Sequence, residues 1–153
     1  LEEEAYETFK KRLIQLANVI TPNFFEAQKL TDEPLDSKES IIAAAAKLQN
    51  LGAKNVMIKG RHDNSEQADV SDYILLENAD SFCLTEQFVN TERVNGTGDT
   101  LSAVIAAELA KGFSVEQAIR TAKAFVHTAI SNEIAVGHKY GPINHWAAMK
   151  NMD

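Results

Sequence analysis

Residues 95–100 bring a carboxylate, two glycines and two threonine hydroxyls together directly before a periodic apolar stretch. The pattern predicts a helix beginning here, and a helix start offers unpaired N–H groups and the positive end of the helix dipole to an anion. Gly96 and Gly98 allow the backbone to approach a phosphate closely. Asp99 can accept a proton from a substrate hydroxyl while neighbouring amides stabilise a transferred phosphoryl group. These residues therefore indicate phosphoryl transfer with Asp99 as the base.

The spacing of this run leaves an alternative open. Asp99 can simply complement the helix dipole, and the two glycines can form an ordinary tight turn. The run is not a P-loop, because no Gly-Lys-Ser or Gly-Lys-Thr follows it. The choice between the two interpretations depends on whether other residues suited to phosphate occur at comparable places in the fold.

Two further groups lie where strands are expected to end. Asn23 and Glu26 follow the apolar run 17–20. Lys59 ends the predicted strand 54–59 and is followed by Gly60. Ligands of α/β sheets bind at the carboxyl ends of strands. Glu26 is suited to magnesium or its waters, and Lys59 to phosphate oxygens. Taken singly, a residue like Glu26 is more often a solvated helix carboxylate, and one like Lys59 is more often a surface lysine at a strand end. Together with Asp99 they favour a phosphate site.

Hydrophobic periodicity supplies the elements that would position these residues. It predicts strands over 17–20, 54–59, 70–77 and 81–89, and helices over 2–16, 24–30, 38–51, 98–111 and 114–132, with a short helix near 146. The first helix is expected to place Ala5, Phe9, Leu13 and Leu16 on one face, and Ser114 to open a capping box. Alternating helices and buried strands predict one α/β domain over 1–153, with three αβα layers and a largely parallel central sheet.

Composition excludes several classes of protein. The chain has 153 residues, 44% of them hydrophobic, and a net charge of −7, which is typical of a folded domain and unlike a nucleic-acid binder. No apolar run is long enough for a membrane span. The single cysteine, Cys83, rules out a disulfide framework within the chain, fits a cytoplasmic location and is expected to be a small buried hydrophobe. The four histidines lack the spacing of a zinc site.

Four segments together resemble the ribokinase-like superfamily of vitamin kinases, in the branch of pyridoxal kinases and hydroxymethylpyrimidine (phosphate) kinases. Residues 21–27 are similar to its Thr-Pro-Asn-x-x-Glu-Ala segment, and 56–62 to its Val-x-Lys-Gly-Gly-His segment, with Arg61 replacing a glycine. Residues 96–112 resemble its signature glycine-rich helix, and 137–145 its C-terminal segment. The resemblance covers nearly the whole chain and implies the ribokinase-like fold.

The resemblance also implies roles. Asp99 would deprotonate the acceptor hydroxymethyl group, and the amides of Gly96, Thr97 and Gly98 would form an anion hole. ATP and Mg²⁺ would be the cofactors, with Glu26 near the metal, directly or through water. The residues expected to bind ATP and Mg²⁺ are Asn23, Glu26, Lys59, Gly60, His62, Asp63 and Asp72. The helix from Ser114 and residues 137–145 would help to enclose the adenine.

The acceptor is expected to be a B6 vitamer, with hydroxymethylpyrimidine or its phosphate as the alternative. Many pyrimidine kinases of this branch have cysteine at the position of Asp99, which favours pyridoxal chemistry. Two other interpretations remain open: a module that binds nucleotide without turnover, and a structural fragment whose motifs are vestigial. Neither a nucleic acid nor a membrane is expected as a partner.

Members of the family are roughly twice as long as this chain, given the usual size of domains. The chain resembles their C-terminal, nucleotide-handling half. A divided sheet exposes a strand edge and an apolar face. We therefore expect the chain to pair with another copy of itself or with a complementary N-terminal half.

Overall fold

The computed structural model describes residues 3–62, 67–136 and 141–149, and its helices and strands begin and end close to the predicted positions. The elements are α1 (Glu3–Thr8), β1 (Val19–Ile20), α2 (Phe24–Thr31), α3 (Lys38–Asn50), β2 (Asn55–Ile58), β3 (Asp69–Leu75), β4 (Ser81–Gln87), α4 (Thr97–Ala110), α5 (Val115–Ser131) and α6 (His145–Met149). The chain divides into two compact units, Leu1–Thr85 and Glu86–Asp153. No helix in the described ranges is long and apolar enough to cross a bilayer.

The four strands form one mixed sheet in the order β1-β2-β3-β4. Strand β1 is parallel to β2, with Val19 opposite Asn55, whereas β2 is antiparallel to β3, with Ile58 opposite Tyr73. The α/β class is as predicted, but the sheet of this chain is mixed rather than largely parallel. Parallel neighbours need a long crossover, usually helical, and only the connection through α2 and α3 provides one. The connections over 59–68 and 76–80 are too short for that.

The first unit has a core built on α2, α3 and the central strands. Strand β2 is buried along its whole length, as its unbroken apolar run predicts. Helix α3 packs against β2 and β3. The side chains of this core include Ile14, Ala27, Leu30, Ala44, Leu48 and Val56. This core fixes the two strand ends at which the predicted phosphate-binding residues lie.

The second unit is built mainly from the helices α4, α5 and α6. Helix α4 packs along α5, and α5 packs along α6. The predicted capping box of α5 is confirmed, because the Ser114 side chain accepts a hydrogen bond from the Gln117 amide and the Gln117 side chain accepts one from the Ser114 amide. Ala129, Ile143 and Ala148 form a small core between α5 and the start of α6. This core anchors the C-terminal segment on α5.

Two predictions about burial were wrong. Chain 3–16 is helical, but Leu13 and Leu16 are 54% and 81% exposed, and Tyr6 and Ile14 are the buried side chains instead. The cause is a π-helical turn over Phe9–Leu13 followed by a 3-10 turn over Ile14–Leu16, which shifts the phase of the apolar stripe. Cys83 is exposed rather than buried, because it lies on the exposed face of the edge strand β4.

Candidate active site

Helix α4 begins with a glycine in place of a capping side chain. Gly96 is the N-cap residue, with φ 88°, and no side chain caps the helix. A residue with a Cβ is strained at this φ, although the space around Gly96 is empty within 4 Å. The Thr100 amide donates to the Gly96 carbonyl over 2.9 Å and closes the first turn. The predicted glycine-rich helix start is therefore present, and it depends on glycine for its backbone shape.

Open donors surround this turn. Within the described ranges, the amides of Gly96, Gly98 and Asp99 donate to no protein acceptor. The Thr97 amide differs, because it donates to the Val94 carbonyl over 3.3 Å. Two of the three amides predicted for the anion hole are thus available, and the Asp99 amide adds a third. Open N–H groups at the positive end of a helix can bind phosphate oxygens.

The carboxylate of Asp99 lies beside these donors. It is exposed and occupies the third position of the helix. No side chain or backbone donor of the described residues contacts it. A carboxylate in this state can accept a proton or a hydrogen bond from a bound hydroxyl.

The C-terminal segment tethers the glycine-rich turn. Asn95 forms a parallel β-bridge with Pro142, just before the turn. Thr100, in the first turn of α4, shares a hydrogen bond of 2.8 Å between its Oγ1 and Nε2 of His145. Before the turn, the Arg93 guanidinium donates to the carbonyls of Ile134 and Val136 over 3.0 and 2.9 Å. Segments distant in sequence therefore hold both ends of the turn.

The start of α2 has a complete capping box. The Asn23 side chain accepts from the Glu26 amide over 2.8 Å, and Glu26 Oε2 accepts from the Asn23 amide over 2.7 Å. Both predicted nucleotide-binding side chains thus already serve the helix start. Glu26 is exposed and Asn23 is half-buried, so each still presents atoms to solvent.

The end of β2 lies directly beside this capping box. The Lys59 amide donates to the Pro22 carbonyl over 2.9 Å, which extends the β1–β2 ladder past both strands. The Lys59 ammonium forms neither a hydrogen bond nor an ion pair with the described part of the chain. As predicted, Lys59 and Asn23 lie at the same edge of the sheet, and a free ammonium there is suited to phosphate.

Gly60, near the end of β2, packs so closely against β3 that a side chain there would clash. A Cβ at Gly60 would lie 2.6 Å from the Ser71 carbonyl oxygen and 2.8 Å from Val70 Cγ1. Its amide donates over 2.8 Å to Oδ1 of Asp72, which is only 2% exposed. The structure thus gives Asp72 a role in holding Gly60, and direct contact of Asp72 with a nucleotide stays a prediction.

The residues after Gly60 extend this edge. The Arg61 guanidinium lies over the rings of Phe24 and Phe25, 5.2 and 5.8 Å from their centroids. This contact links the segment after β2 to the first turn of α2. His62 is exposed, and Asp63, also predicted to bind ATP, lies outside the described residues.

A magnesium ion at the start of α2 would need ligands from the substrate phosphates and water in addition to the protein. No group of three or more His, Cys, Asp or Glu side chains able to hold a metal occurs among the residues searched, which are the described ones. Glu26 has one carboxylate oxygen committed to the Asn23 amide and one without a described donor. Mg²⁺ commonly binds through one or two carboxylates together with substrate phosphates and waters. Glu26 is compatible with that mode.

The helix expected to enclose the adenine borders a cleft. A cleft of about 420 Å³ lies between the end of α4 and α5, with Phe113, Phe125 and Thr121 among its lining residues. Residues 137–140, from the other segment expected there, lie outside the described residues. The prediction of an adenine site here remains a prediction.

The sequence analysis predicted no contact between Thr100 and His145 and gave Arg93 no role. Thr100 and His145 are 45 positions apart, so no local pattern joins them. The stacking of Arg61 on Phe24 and Phe25 was also missed, although the replacement of a usual glycine by arginine was a signal for it.

Comparison with known proteins identifies the family of the chain. Residues 1–144 match the family model described as phosphomethylpyrimidine kinase. The hydroxymethylpyrimidine/phosphomethylpyrimidine kinase of Haemophilus influenzae is 43% identical over 148 residues, covering 96% of this chain and 55% of the relative. That of Helicobacter pylori is 39% identical over 153 residues, covering 99% of this chain and 56% of the relative. The chain thus spans about half the length of these relatives.

Solved structures confirm the predicted ribokinase-like α/β fold. The ADP complex of Bacillus subtilis pyridoxal kinase is 34% identical, with a TM-score of 0.88, over 99% of this chain and 58% of that chain. Staphylococcus aureus pyridoxal kinase with AMP-PCP is 33% identical, with a TM-score of 0.87, over 99% of this chain and 55% of that one. The resemblance drawn from the sequence motifs is confirmed.

Proposed function

Because the chain belongs to the phosphomethylpyrimidine kinase family, we propose that it carries phosphoryl-transfer machinery of an ATP-dependent kinase acting on hydroxymethylpyrimidine or its phosphate. The observation that carries the proposal is the start of α4, where open amides lie beside the exposed Asp99 carboxylate. The named relatives favour the pyrimidine acceptor, which the sequence analysis placed second, over a B6 vitamer.

The reaction assigns a distinct task to each part of the α4 start. With hydroxymethylpyrimidine as the acceptor, Asp99 accepts the proton of the hydroxymethyl group as the hydroxymethyl oxygen forms a bond to the γ-phosphorus of ATP. With the phosphate of that pyrimidine as the acceptor, a phosphate oxygen forms this bond instead. The bond from that phosphorus to the oxygen bridging the β- and γ-phosphates breaks, and ADP leaves. The amides of Gly96, Gly98 and Asp99 donate to the oxygens on which negative charge is spread. Because these amides are already oriented at a helix start, they lower the free energy of the negatively charged transition state.

The first unit contributes nucleotide contacts in this proposal. Lys59, whose ammonium has no described partner, binds ATP phosphate oxygens. The free oxygen of Glu26 takes part in holding Mg²⁺, directly or through water, and bound Mg²⁺ supplies charge neutralisation for the phosphates. Asn23 and Gly60 shape this edge through their backbone hydrogen bonds. The related kinases seen with ADP and AMP-PCP support ATP as the phosphate donor.

A B6 vitamer is the second candidate acceptor. Pyridoxal kinases are among the solved structures that this chain resembles, at 34% and 33% identity. Hydroxymethylpyrimidine and the B6 vitamers both carry a hydroxymethyl group on an aromatic nitrogen ring, so the same base and amides serve either one. Asp99 occupies the position at which many pyrimidine kinases of this branch have cysteine, and this favours the vitamer.

A panel of acceptors tests the proposal. The 153-residue chain is assayed for ADP release with ATP and Mg²⁺, alone and mixed with the N-terminal half of the Haemophilus influenzae relative. The acceptors are hydroxymethylpyrimidine, its phosphate, pyridoxal and pyridoxine, with Asp99→Asn as the blank. We expect the highest kcat/KM with a pyrimidine acceptor. A higher kcat/KM with pyridoxal would favour the second candidate.

The same panel separates turnover from binding alone. Titration calorimetry with ADP and Mg²⁺ accompanies the assay, because a nucleotide-binding module would bind without releasing product. ADP binding without turnover in every mixture would reject the kinase proposal and support a module that only binds nucleotide. Absence of both would leave a structural fragment.

We also propose that the chain pairs with another copy of itself or with a complementary N-terminal half. The chain spans about half of its relatives, and β1 is at an edge of the described sheet. An unpaired strand edge is a template for further pairing. We expect sedimentation to show either a self-associated chain or a complex with the added N-terminal half, and a monomer at micromolar concentration with no complex would contradict this.

A further inference from the structure

The hydrogen bond between Thr100 and His145 acts on the turn that contains the proposed base. His145 Nε2 lies 2.8 Å from Thr100 Oγ1, and the Thr100 amide donates to the Gly96 carbonyl over 2.9 Å. Thr100 is therefore bonded on one side to the N-cap residue and on the other to His145. Asp99 lies between Gly96 and Thr100 in the sequence, within the turn that these bonds close.

No side chain caps the turn itself. Gly96 supplies no capping side chain, and no atom lies within 4 Å of the position where its Cβ would be. A helix start of this kind keeps its amides open at the cost of a cap, which is typically worth about 1 kcal/mol. The tethers at the two ends, Asn95 with Pro142 and Thr100 with His145, therefore replace the missing cap.

His145 is well placed to act as a fixed support. The segment before it is anchored on α5, because the Asn144 amide donates to the Ala129 carbonyl over 3.0 Å and Ile143 is 5% exposed. After it, Ala148 is buried in the same small core. The His145 ring also lies against the ring of Phe125, with centroids 6.1 Å apart. Residues on both sides and the ring itself are thus restrained.

We infer that His145 is a positioning residue for phosphoryl transfer, which orients the Asp99 carboxylate and the neighbouring amides through Thr100. This inference rests on the proposed kinase function. It does not require His145 to touch either substrate. A shift of about 1 Å at a reacting group can lower a rate by about 100-fold, so a distant tether can control turnover.

A double-mutant cycle tests the tether. His145→Ala and Thr100→Val each remove one side of the hydrogen bond, and the combined variant removes both. We expect each single variant to lower kcat about tenfold while the acceptor KM stays within about twofold, and the double variant to lose no more than either single one. His145→Gln, which offers an amide near the position of Nε2, and Thr100→Ser are expected to restore most of kcat.

A second measurement is independent of turnover. Hydrogen exchange of the Thr100 amide, which is bonded to the Gly96 carbonyl, is followed by NMR in the free protein. Both single variants should speed this exchange about tenfold, with no further increase in the double variant. His127→Ala on α5 is the matched control, because its ring is 3.5 Å from Ser131 Oγ and has no described contact with the turn. It should change neither kcat nor exchange.

The outcomes separate the two proposals. Faster exchange together with a coupled loss of kcat supports the positioning role. Additive losses, unchanged exchange, or a lower melting temperature without a change in kcat would overturn it. Absence of turnover in the wild-type protein would reject the kinase function, while the exchange data would still show whether His145 holds the turn.

Discussion

The starts of α2 and α4 contain the same components and use them differently. Each has a carboxylate at the third helical position, Glu26 in one and Asp99 in the other. Asn23, with an extended backbone (ψ 171°), caps α2, and Glu26 folds back onto the Asn23 amide. Gly96, in the left-handed region, leaves the α4 amides open and Asp99 without a described partner. The N-cap residue thus decides whether such a carboxylate holds the helix or is free for a ligand.

The largest expected effect is at Asp99. Asp99→Asn should lower kcat by about 10²- to 10⁴-fold, because the amide cannot accept the proton of the acceptor hydroxyl. The free energy of unfolding should change by less than about 0.5 kcal/mol, because the side chain is exposed and has no described contact. Steady-state kinetics and urea unfolding provide the two measurements.

Glu26→Gln is the matched control for that change. It alters the same chemical group at the same helical position, but glutamine also serves in a capping box. A small change in the free energy of unfolding is expected. The value of kcat should fall less than in Asp99→Asn, because glutamine keeps an oxygen for Mg²⁺ but lacks the carboxylate charge. Equal losses of kcat in Glu26→Gln and Asp99→Asn would contradict the claim that the two helix starts use their carboxylates differently.

Gly60→Ala should have the next largest effect. Its Cβ would meet the Ser71 carbonyl at 2.6 Å, so β2 and β3 must separate, at a cost of about 2 kcal/mol in the free energy of unfolding. Gly96→Ala is the comparison, because it adds a methyl group in empty space and is strained only by its φ of 88°. We expect about 1 kcal/mol there. Urea unfolding of both variants measures the difference, and a larger cost at Gly96 would contradict the packing argument.

The cap of α2 gives a smaller and separable effect. Asn23→Ala should lower the free energy of unfolding by about 1 kcal/mol, whereas Asn23→Ser should keep most of it, because serine is also a good N-cap residue. If Asn23 also contacts the nucleotide, Asn23→Ser should still weaken ADP binding in calorimetry. Full ADP affinity in a stable Asn23→Ser variant would show that Asn23 caps α2 and does not contact the nucleotide.

The smallest effect is expected at Arg61. Arg61→Ala removes a cation–π contact with Phe24 and Phe25, which is worth about 0.5–1 kcal/mol at an exposed site. Arg61→Lys should retain part of that energy. Thermal unfolding measures both, and identical melting temperatures for wild type and Arg61→Ala would show that the stacking contributes nothing.

Much of the fold followed from local patterns. The apolar run of β2 and the helix of α5 with its capping box were predicted, because each depends on residues close in sequence. The capping box at Asn23 was missed, because Glu26 was read as a ligand or a solvated carboxylate rather than as a partner of its own helix start. The predicted apolar face of the first helix was wrong, because a π-helical turn cannot be recognised from the spacing of apolar residues.

The candidate site was predictable only in part. Asp99 and its glycines lie in one run, so the sequence shows them together. The link between Thr100 and His145 joins segments 45 residues apart and depends on how α5 presents the C-terminal segment. Similarly, the role of Asp72 in holding Gly60 depends on the pairing of β2 with β3. Such contacts arise from packing, which no local pattern encodes.

The hydrogen bond from the Lys59 amide to the Pro22 carbonyl has a consequence for how this chain can change over evolutionary time. Side chains alternate between the two faces of a strand, so an insertion or deletion of one residue in 55–58 would send the Lys59 side chain to the opposite face. The same change in the turn over 76–80, which only joins β3 to β4, would leave that alternation intact. Chain length is therefore constrained at β2 and tolerant in that turn, whatever residues occupy either.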